Sequence, residues 1–233
     1  MVSLLIVLLI SYLLGSIPSS LWVGQIFHKM DIRNFGSGNL GSTNAFRNLG
    51  WKSGASVLVL DFMKGFVSSY WVAMYAFEIG NGPIAPPGWE ADAFLKITCG
   101  LFAVVGHMFP IFANFKGGKG AATACGMLYG IEPISIGISS VVFIAITLST
   151  RYVSLASIVS SFIYPISLLI MRYGFGYFVD GSVIIFAIFI SAGIIYKHKS
   201  NIRRLLDGNE SRVDIYGKKD KKEETADLAE AEA

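Results

Sequence analysis

Charge is scarce in this chain. Only 15% of its 233 residues are Asp, Glu, Lys or Arg, against roughly 25% in an ordinary soluble domain, and that shortfall excludes a water-facing globule. Cysteine is scarcer still. Cys99 and Cys125 both sit in apolar stretches without metal-ligand spacing, so neither a disulfide framework nor a zinc site is expected. No internal repeat is visible, which weighs against transporters built from duplicated halves. No Lys or Arg precedes the first apolar run and no small-residue cleavage site closes it, so the run reads as a transmembrane helix and not as a signal peptide. No cofactor, metal or nucleic-acid partner is expected.

Long apolar runs are what the chain has in quantity, with hydrophobic residues at 53%. A helix needs about 20 such residues to cross a bilayer core. Seven segments qualify or come close, at 2–27, 53–77, 94–112, 121–130, 134–149, 152–171 and 179–196. The fourth is too short to cross alone and reads as a half-helix, a re-entrant piece or a span extended by Gly117–Gly120. The fold class expected is therefore all-α, a polytopic membrane helix bundle of about seven transmembrane helices; five crossings with re-entrant segments is the alternative. Residues 1–212 form one integral-membrane domain, and 213–233 a charged tail read as disordered.

Cations fix the orientation. Lys29, Arg33, Arg47, Lys52, Lys116, Lys119, Arg151, Lys197, Lys199, Arg203 and Arg204 fall in alternate loops, while Glu78, Glu90, Asp92, Glu132 and Asp180 fall in the others. With the N-terminus outside and the C-terminus cytoplasmic, every cationic loop faces the cytoplasm. That arrangement puts the cationic loops at the cytoplasmic face of the membrane.

Three of those loops carry chemistry. The first reads Gly36-Ser37-Gly38-Asn39-Leu40-Gly41-Ser42-Thr43-Asn44-Ala45-Phe46-Arg47. Its glycines let backbone N–H groups turn toward an anion. Ser37, Asn39, Thr43 and Asn44 add neutral hydrogen-bonding groups, and Arg47 adds a fork suited to phosphate. The G-x-G-x-x-G spacing lacks the βαβ context of a dinucleotide site. The second reads Lys116-Gly117-Gly118-Lys119-Gly120, after Gly106-His107 and Phe109-Pro110. It sets two ammonium groups at the start of an apolar helix, where phosphate is favoured. A Walker A loop is excluded by Ala113 and Gly120. The third reads His198-Lys199-Ser200-Asn201-Ile202-Arg203-Arg204, and helical spacing puts His198, Asn201 and Arg204 on one face. Ser154 and Ser157 open the sixth span at the same membrane edge. Plainer readings are a flexible polar turn, a topology-setting cationic turn and a lipid anchor. Asp61 and Lys64 pair at i, i+3 inside the second span, as a structural ion pair or as part of a site. Asn209-Glu210-Ser211 matches a glycosylation sequon, discounted on the cytoplasmic side.

These loops together resemble the acyl-phosphate-dependent glycerol-3-phosphate acyltransferases of bacteria, the PlsY family. The motifs that carry the resemblance are Gly36-Ser37-Gly38-Asn39 with Gly41, Thr43 and Asn44; Lys116-Gly117-Gly118-Lys119-Gly120; and His198 with Asn201-Ile202 and Arg204. It extends from the first span to about Arg212. Ser42 and Ala121 depart from the usual Ala and Val. The resemblance implies transfer of a fatty acyl group from acyl phosphate to the 1-hydroxyl of glycerol 3-phosphate, giving lysophosphatidic acid and phosphate, with an upstream enzyme supplying the acyl phosphate. None of the three histidines begins an H-x-x-x-x-D pair of the kind used by other glycerolipid acyltransferases.

The catalytic candidates are His198, Asn201 and Ser37. Phosphate-binding candidates are Gly36, Gly38, Asn39, Thr43, Asn44, Arg47, Lys116, Gly117, Gly118, Lys119, Gly120, Ser154 and Arg204. Either His198 or the donor's own phosphate takes the hydroxyl proton. An anion transporter and a lipid-binding scaffold are the competing function classes; the first lacks midplane charge beyond Asp61 and Lys64, and the second leaves the glycine-rich loops unexplained.

Overall fold

The protein is described by a computed structural model over residues 2–79 and 85–212. The charged tail and part of the proline-rich outer loop lie outside the described residues. Every regular element among the described residues is helical.

The first span is broken. Helices α1 (Val2–Gly15) and α2 (Ser19–His28) meet at an angle of 40°, because Pro18 has no N–H to continue the ladder. Helix α3 (Ser42–Val67) kinks at Gly50, whose φ of 82° no helix tolerates. It continues through a π turn, Ser68–Val72, into α4 (Ala73–Glu78). Then come α5 (Ala91–Met108), α6 (Ala121–Ile131), α7 (Pro133–Thr150) and α8 (Val153–Leu169). The last pair is α9 (Gly181–Lys197) and α10 (Lys199–Leu206), bent by 57°.

Among the described residues, four helical rods are long and apolar enough to cross a membrane, or up to six if each bent pair is one span. The remaining expected segment, the fourth, is α6, with only 11 residues. At 1.5 Å per residue it rises about 16 Å, against a hydrocarbon core of about 30 Å. Yet α6 joins the two ends of the bundle. Its start lies beside Met108 and Val104 at the end of α5. Its far end runs into Glu132, which lines one cavity of about 300 Å³ with Glu90 and Asp92 at the start of α5 and Asp180 at the start of α9.

Small residues let the helices meet at backbone distance. A Cβ at Gly15 would sit 2.1 Å from the Ala103 carbonyl oxygen, tying α1 to α5. A Cβ at Gly65 would sit 1.9 Å from the Thr123 carbonyl oxygen, and one at Gly126 1.9 Å from that of Phe62, joining α3 to α6. Gly126→Ala is therefore expected to push α3 and α6 apart and destabilise the fold by about 3 kcal/mol, at the upper end for overpacking. Thermal unfolding in detergent reads this directly; an unchanged midpoint would contradict the packing.

The two ends of the bundle differ in sign. The cavity end carries Glu90, Asp92, Glu132 and Asp180 around Lys96. Glu132 and Asp180 also cap the N-termini of α7 and α9 through the N–H groups of Ile134, Ser135 and Ser182. The cationic loops lie at the other end, where the candidate site is built.

Candidate active site

The first glycine-rich turn is folded around one side chain. Asn44 is 3% exposed. Its Oδ1 accepts from the Ser37 N–H at 3.1 Å and from Asn48 Nδ2 at 2.9 Å. Its Nδ2 donates to the carbonyls of Ile32, Phe35 and Asn39 at 3.3, 3.1 and 3.2 Å. Every polar valence of Asn44 is thus spent inside the turn. The structure makes it a scaffold, where the sequence suggested a substrate contact. Gly36 and Gly38 have φ of 59° and 69°, the left-handed region that glycine enters freely. A Cβ at Gly36 would also strike Asn44 Oδ1 at 2.4 Å. Ser37, Thr43 and Arg47 are exposed and Asn39 is half-buried, so these side chains are available to a ligand.

The second turn is folded around His107. The Gly118 N–H donates to the His107 carbonyl at 3.1 Å. A Cβ at Gly117 would lie 2.0 Å from that same carbonyl oxygen, and one at Gly118 2.2 Å from His107 Nε2. Asn114 and Phe115 precede the turn with φ of 54° and 59°. A left-handed Phe is rare, and such backbone gathers at ligand-binding sites.

The two turns meet, since a Cβ at Gly118 would lie 2.9 Å from the Leu40 carbonyl oxygen. Each turn ends at a helix whose first N–H groups have no side-chain cap. Gly41 precedes α3, and Gly120, with φ of 79°, precedes α6. Open helix N-termini attract anions. Around them Arg47, Lys116 and Lys119 are exposed, and none has an ion pair among the described residues. Nearby Arg33 differs: three side-chain hydrogen bonds bind it to Asp31, and its guanidinium holds the Asp31 carboxyl below its ordinary range. Among the described residues, Arg47, Lys116 and Lys119 have no carboxylate partner.

The third motif is organised by a residue that the sequence reading missed. Glu210 Oε1 accepts from Asn201 Nδ2 at 2.8 Å and Oε2 from Arg204 Nε at 2.7 Å. The buried Ser154 hydroxyl faces the same carboxylate. These contacts tie α10 to the start of α8. Among the described residues no hydrogen bond joins this group directly to the glycine-rich turns. Glu210 was read only as the middle of a glycosylation sequon; the signal available was an acid placed one helical turn past a polar helix face. His198 Nδ1 lies 2.8 Å from the Ile194 carbonyl, which can only accept, so Nδ1 carries a hydrogen and the ring is oriented by its own helix.

The Glu210 carboxyl is lowered to about 2, first by Asn201 and then by Arg204 and Ser154. A depressed carboxylate stabilises above its ordinary pKa of 4.5 and loses that contribution as pH falls toward 2. The α10 tether is therefore expected to be unchanged between pH 8 and about 5. Glu210→Gln should loosen α10 throughout that range, seen as faster proteolysis after residue 198. Equal cleavage of variant and parent would contradict the tether.

An all-helical bundle of long apolar rods, with two glycine-rich turns meeting at one end beside exposed cations, is the architecture of a polytopic membrane protein. The chain belongs to the glycerol-3-phosphate acyltransferase family, whose model matches residues 5–208. The glycerol-3-phosphate acyltransferase of Salinibacter ruber is 45% identical over 216 residues, 92% of this chain and 94% of that protein. That of Chlorobium phaeobacteroides strain BS1 is 41% identical over 236 residues, covering 93% and 99%. The fold is also similar to the crystal structure of PlsY (YgiH), an integral membrane glycerol 3-phosphate acyltransferase, in its glycerol 3-phosphate form. There the TM-score is 0.65 at 39% identity, with 91% of this chain and 96% of that one covered. The lysophosphatidic acid form gives the same TM-score at 38% identity.

Proposed function

We propose that this protein transfers a fatty acyl group from acyl phosphate to the 1-hydroxyl of glycerol 3-phosphate, releasing lysophosphatidic acid and inorganic phosphate. The observation that carries this is the meeting of two glycine turns, each opening onto an uncapped helix N-terminus, on segments that carry three exposed cations without an ion pair among the described residues. Two phosphate esters repel one another, and a site that holds both must supply positive charge from several directions. Relatives named for the glycerol 3-phosphate reaction, and a similar structure in a glycerol 3-phosphate form, support the acceptor.

The reaction follows from that placement. The 1-hydroxyl oxygen attacks the acyl carbonyl carbon, the carbon–oxygen bond to phosphate breaks, and phosphate leaves with its electron pair. The hydroxyl proton passes to His198 Nε2 or to the departing phosphate. Acyl phosphate is a mixed anhydride and already activated, so holding the reactants in register supplies much of the rate as effective molarity. Ser37, Arg47, Lys116, Lys119 and the N–H groups of Gly117, Lys119 and Gly120 bind phosphate; Asn201, Arg204 and Ser154 organise the edge beside His198.

Seven crossings fit the charge distribution, with the N-terminus outside, the C-terminus cytoplasmic and the site on the cytoplasmic side of a bacterial inner membrane. The α6 path between the acidic and cationic ends supports the odd count, and the positive-inside rule supports the orientation. An enzyme that makes acyl phosphate must act upstream.

Purified protein given palmitoyl phosphate and glycerol 3-phosphate is expected to release inorganic phosphate in proportion to lysophosphatidic acid formed, and to give no product with palmitoyl-CoA. Turnover with the thioester but not the phosphate would overturn the donor assignment.

A further inference from the structure

Inside the bundle, where charge is expensive, three ionisable side chains are packed together. Asp61 is 1% exposed, Lys64 7% and His107 6%. Lys64 Nζ donates to Asp61 Oδ1 at 2.7 Å and to the Ile17 carbonyl at the break between α1 and α2. His107 Nδ1 lies 3.6 Å from Asp61 Oδ1, an electrostatic contact longer than a hydrogen bond. A buried ion pair contributes little net stability compared with apolar residues of the same volume, so packing alone gives no reason for these charges.

Their geometry gives one. With Nδ1 aimed at Asp61, the opposite edge of the His107 ring is turned outward against the second glycine turn, where Nε2 occupies the space that a Cβ on Gly118 would need. The His107 carbonyl holds the Gly118 N–H, so one residue contacts that turn through both ring and backbone. Lys64 fixes Asp61, Asp61 fixes the ring, and the ring and carbonyl shape Gly117 and Gly118.

We propose that Asp61 and His107 are positioning residues, in which the buried carboxylate orients the imidazole so that the imidazole sets the Gly117–Gly120 backbone for phosphate. The inference rests on the reading that this turn binds a phosphate substrate, and assigns the interior cluster to it. His107 takes no proton here; it acts through the turn.

His107→Asn separates the two faces of the residue, because Asn keeps a polar N–H on the Asp61 side but has no ring edge to meet Gly118. The variant is expected to fold with an unchanged thermal midpoint, to raise the KM of one phosphate substrate about tenfold and to leave kcat within about threefold. Asp61→Asn/Lys64→Met, which removes both charges together and strands neither, should raise the same KM in the same direction. Gly118→Ala should raise it about tenfold in the parent, and by less in the His107→Asn background, where the ring contact is gone and only the contact with the Leu40 carbonyl remains. A kcat loss at constant KM, or strictly additive Gly118→Ala and His107→Asn effects, would overturn the positioning role. The upward shift of the thermal midpoint given by inorganic phosphate reads the brace without turnover. It should shrink in His107→Asn, and an equal shift in parent and variant overturns the inference. A parent protein that shows the phosphate shift but no acyl transfer would instead remove the proposed reaction and leave the brace standing.

Discussion

Lys119→Ala is expected to lower acyl transfer by about 10²-fold or more, the usual cost of removing one donor that meets developing charge, while leaving the thermal midpoint within about 1 °C. Lys119 is exposed and pairs with no carboxylate among the described residues, so its removal strands nothing in the fold. What is lost is a cation at the mouth of an uncapped helix, where the proposed reaction has to hold two anions together. Lys119→Arg keeps the charge but not the compact ammonium, and should retain part of the activity. Ser37→Ala belongs to the same class: its hydroxyl is free for a ligand, while its backbone N–H remains bound to Asn44. Phosphate release by parent and variants, purified side by side, checks both. Near-parental turnover in Lys119→Ala would remove the second turn from the site.

Asn44→Asp should fail for the opposite reason, through the fold of the turn. The change is nearly isosteric, yet it replaces an NH2 facing three carbonyls with an oxygen facing the same three. Acceptors then confront acceptors in a buried place. Each stranded group costs roughly 1–3 kcal/mol, so the first turn should open and transfer should fall by at least about 10²-fold. Thermal unfolding should show a clear loss, in contrast to Lys119→Ala. A fully stable, active Asn44→Asp protein would mean that this network does not shape the turn.

The contrast between these residues shows what the sequence made legible. Hydropathy located the helices well because lipid enforces long apolar runs, and glycine spacing located both turns because left-handed backbone and close approach favour glycine. The sequence could not separate Asn44, which builds the site, from Ser37 and Asn39 beside it, because that distinction depends on which side chain is buried. It gave no count of crossings at α6, since 11 residues fall short of a bilayer and only three-dimensional placement shows the helix running from the cationic end to the acidic one. Glu210 was hidden because its partners Asn201 and Ser154 are far from each other along the chain. The pairing of Asp61 with Lys64 was visible at i, i+3, but its contact with His107 joins separate helices.

The central claim is that the two glycine turns and their cations form one anion pocket. A structure of the protein with glycerol 3-phosphate bound tests it most directly. The account predicts a phosphate within hydrogen-bonding distance of the Gly117–Gly120 backbone or of Ser37 and Arg47, with the glycerol hydroxyls toward His198. A phosphate lodged instead in the acidic cavity around Glu90, Glu132 and Asp180, at the opposite end of the bundle, would contradict it.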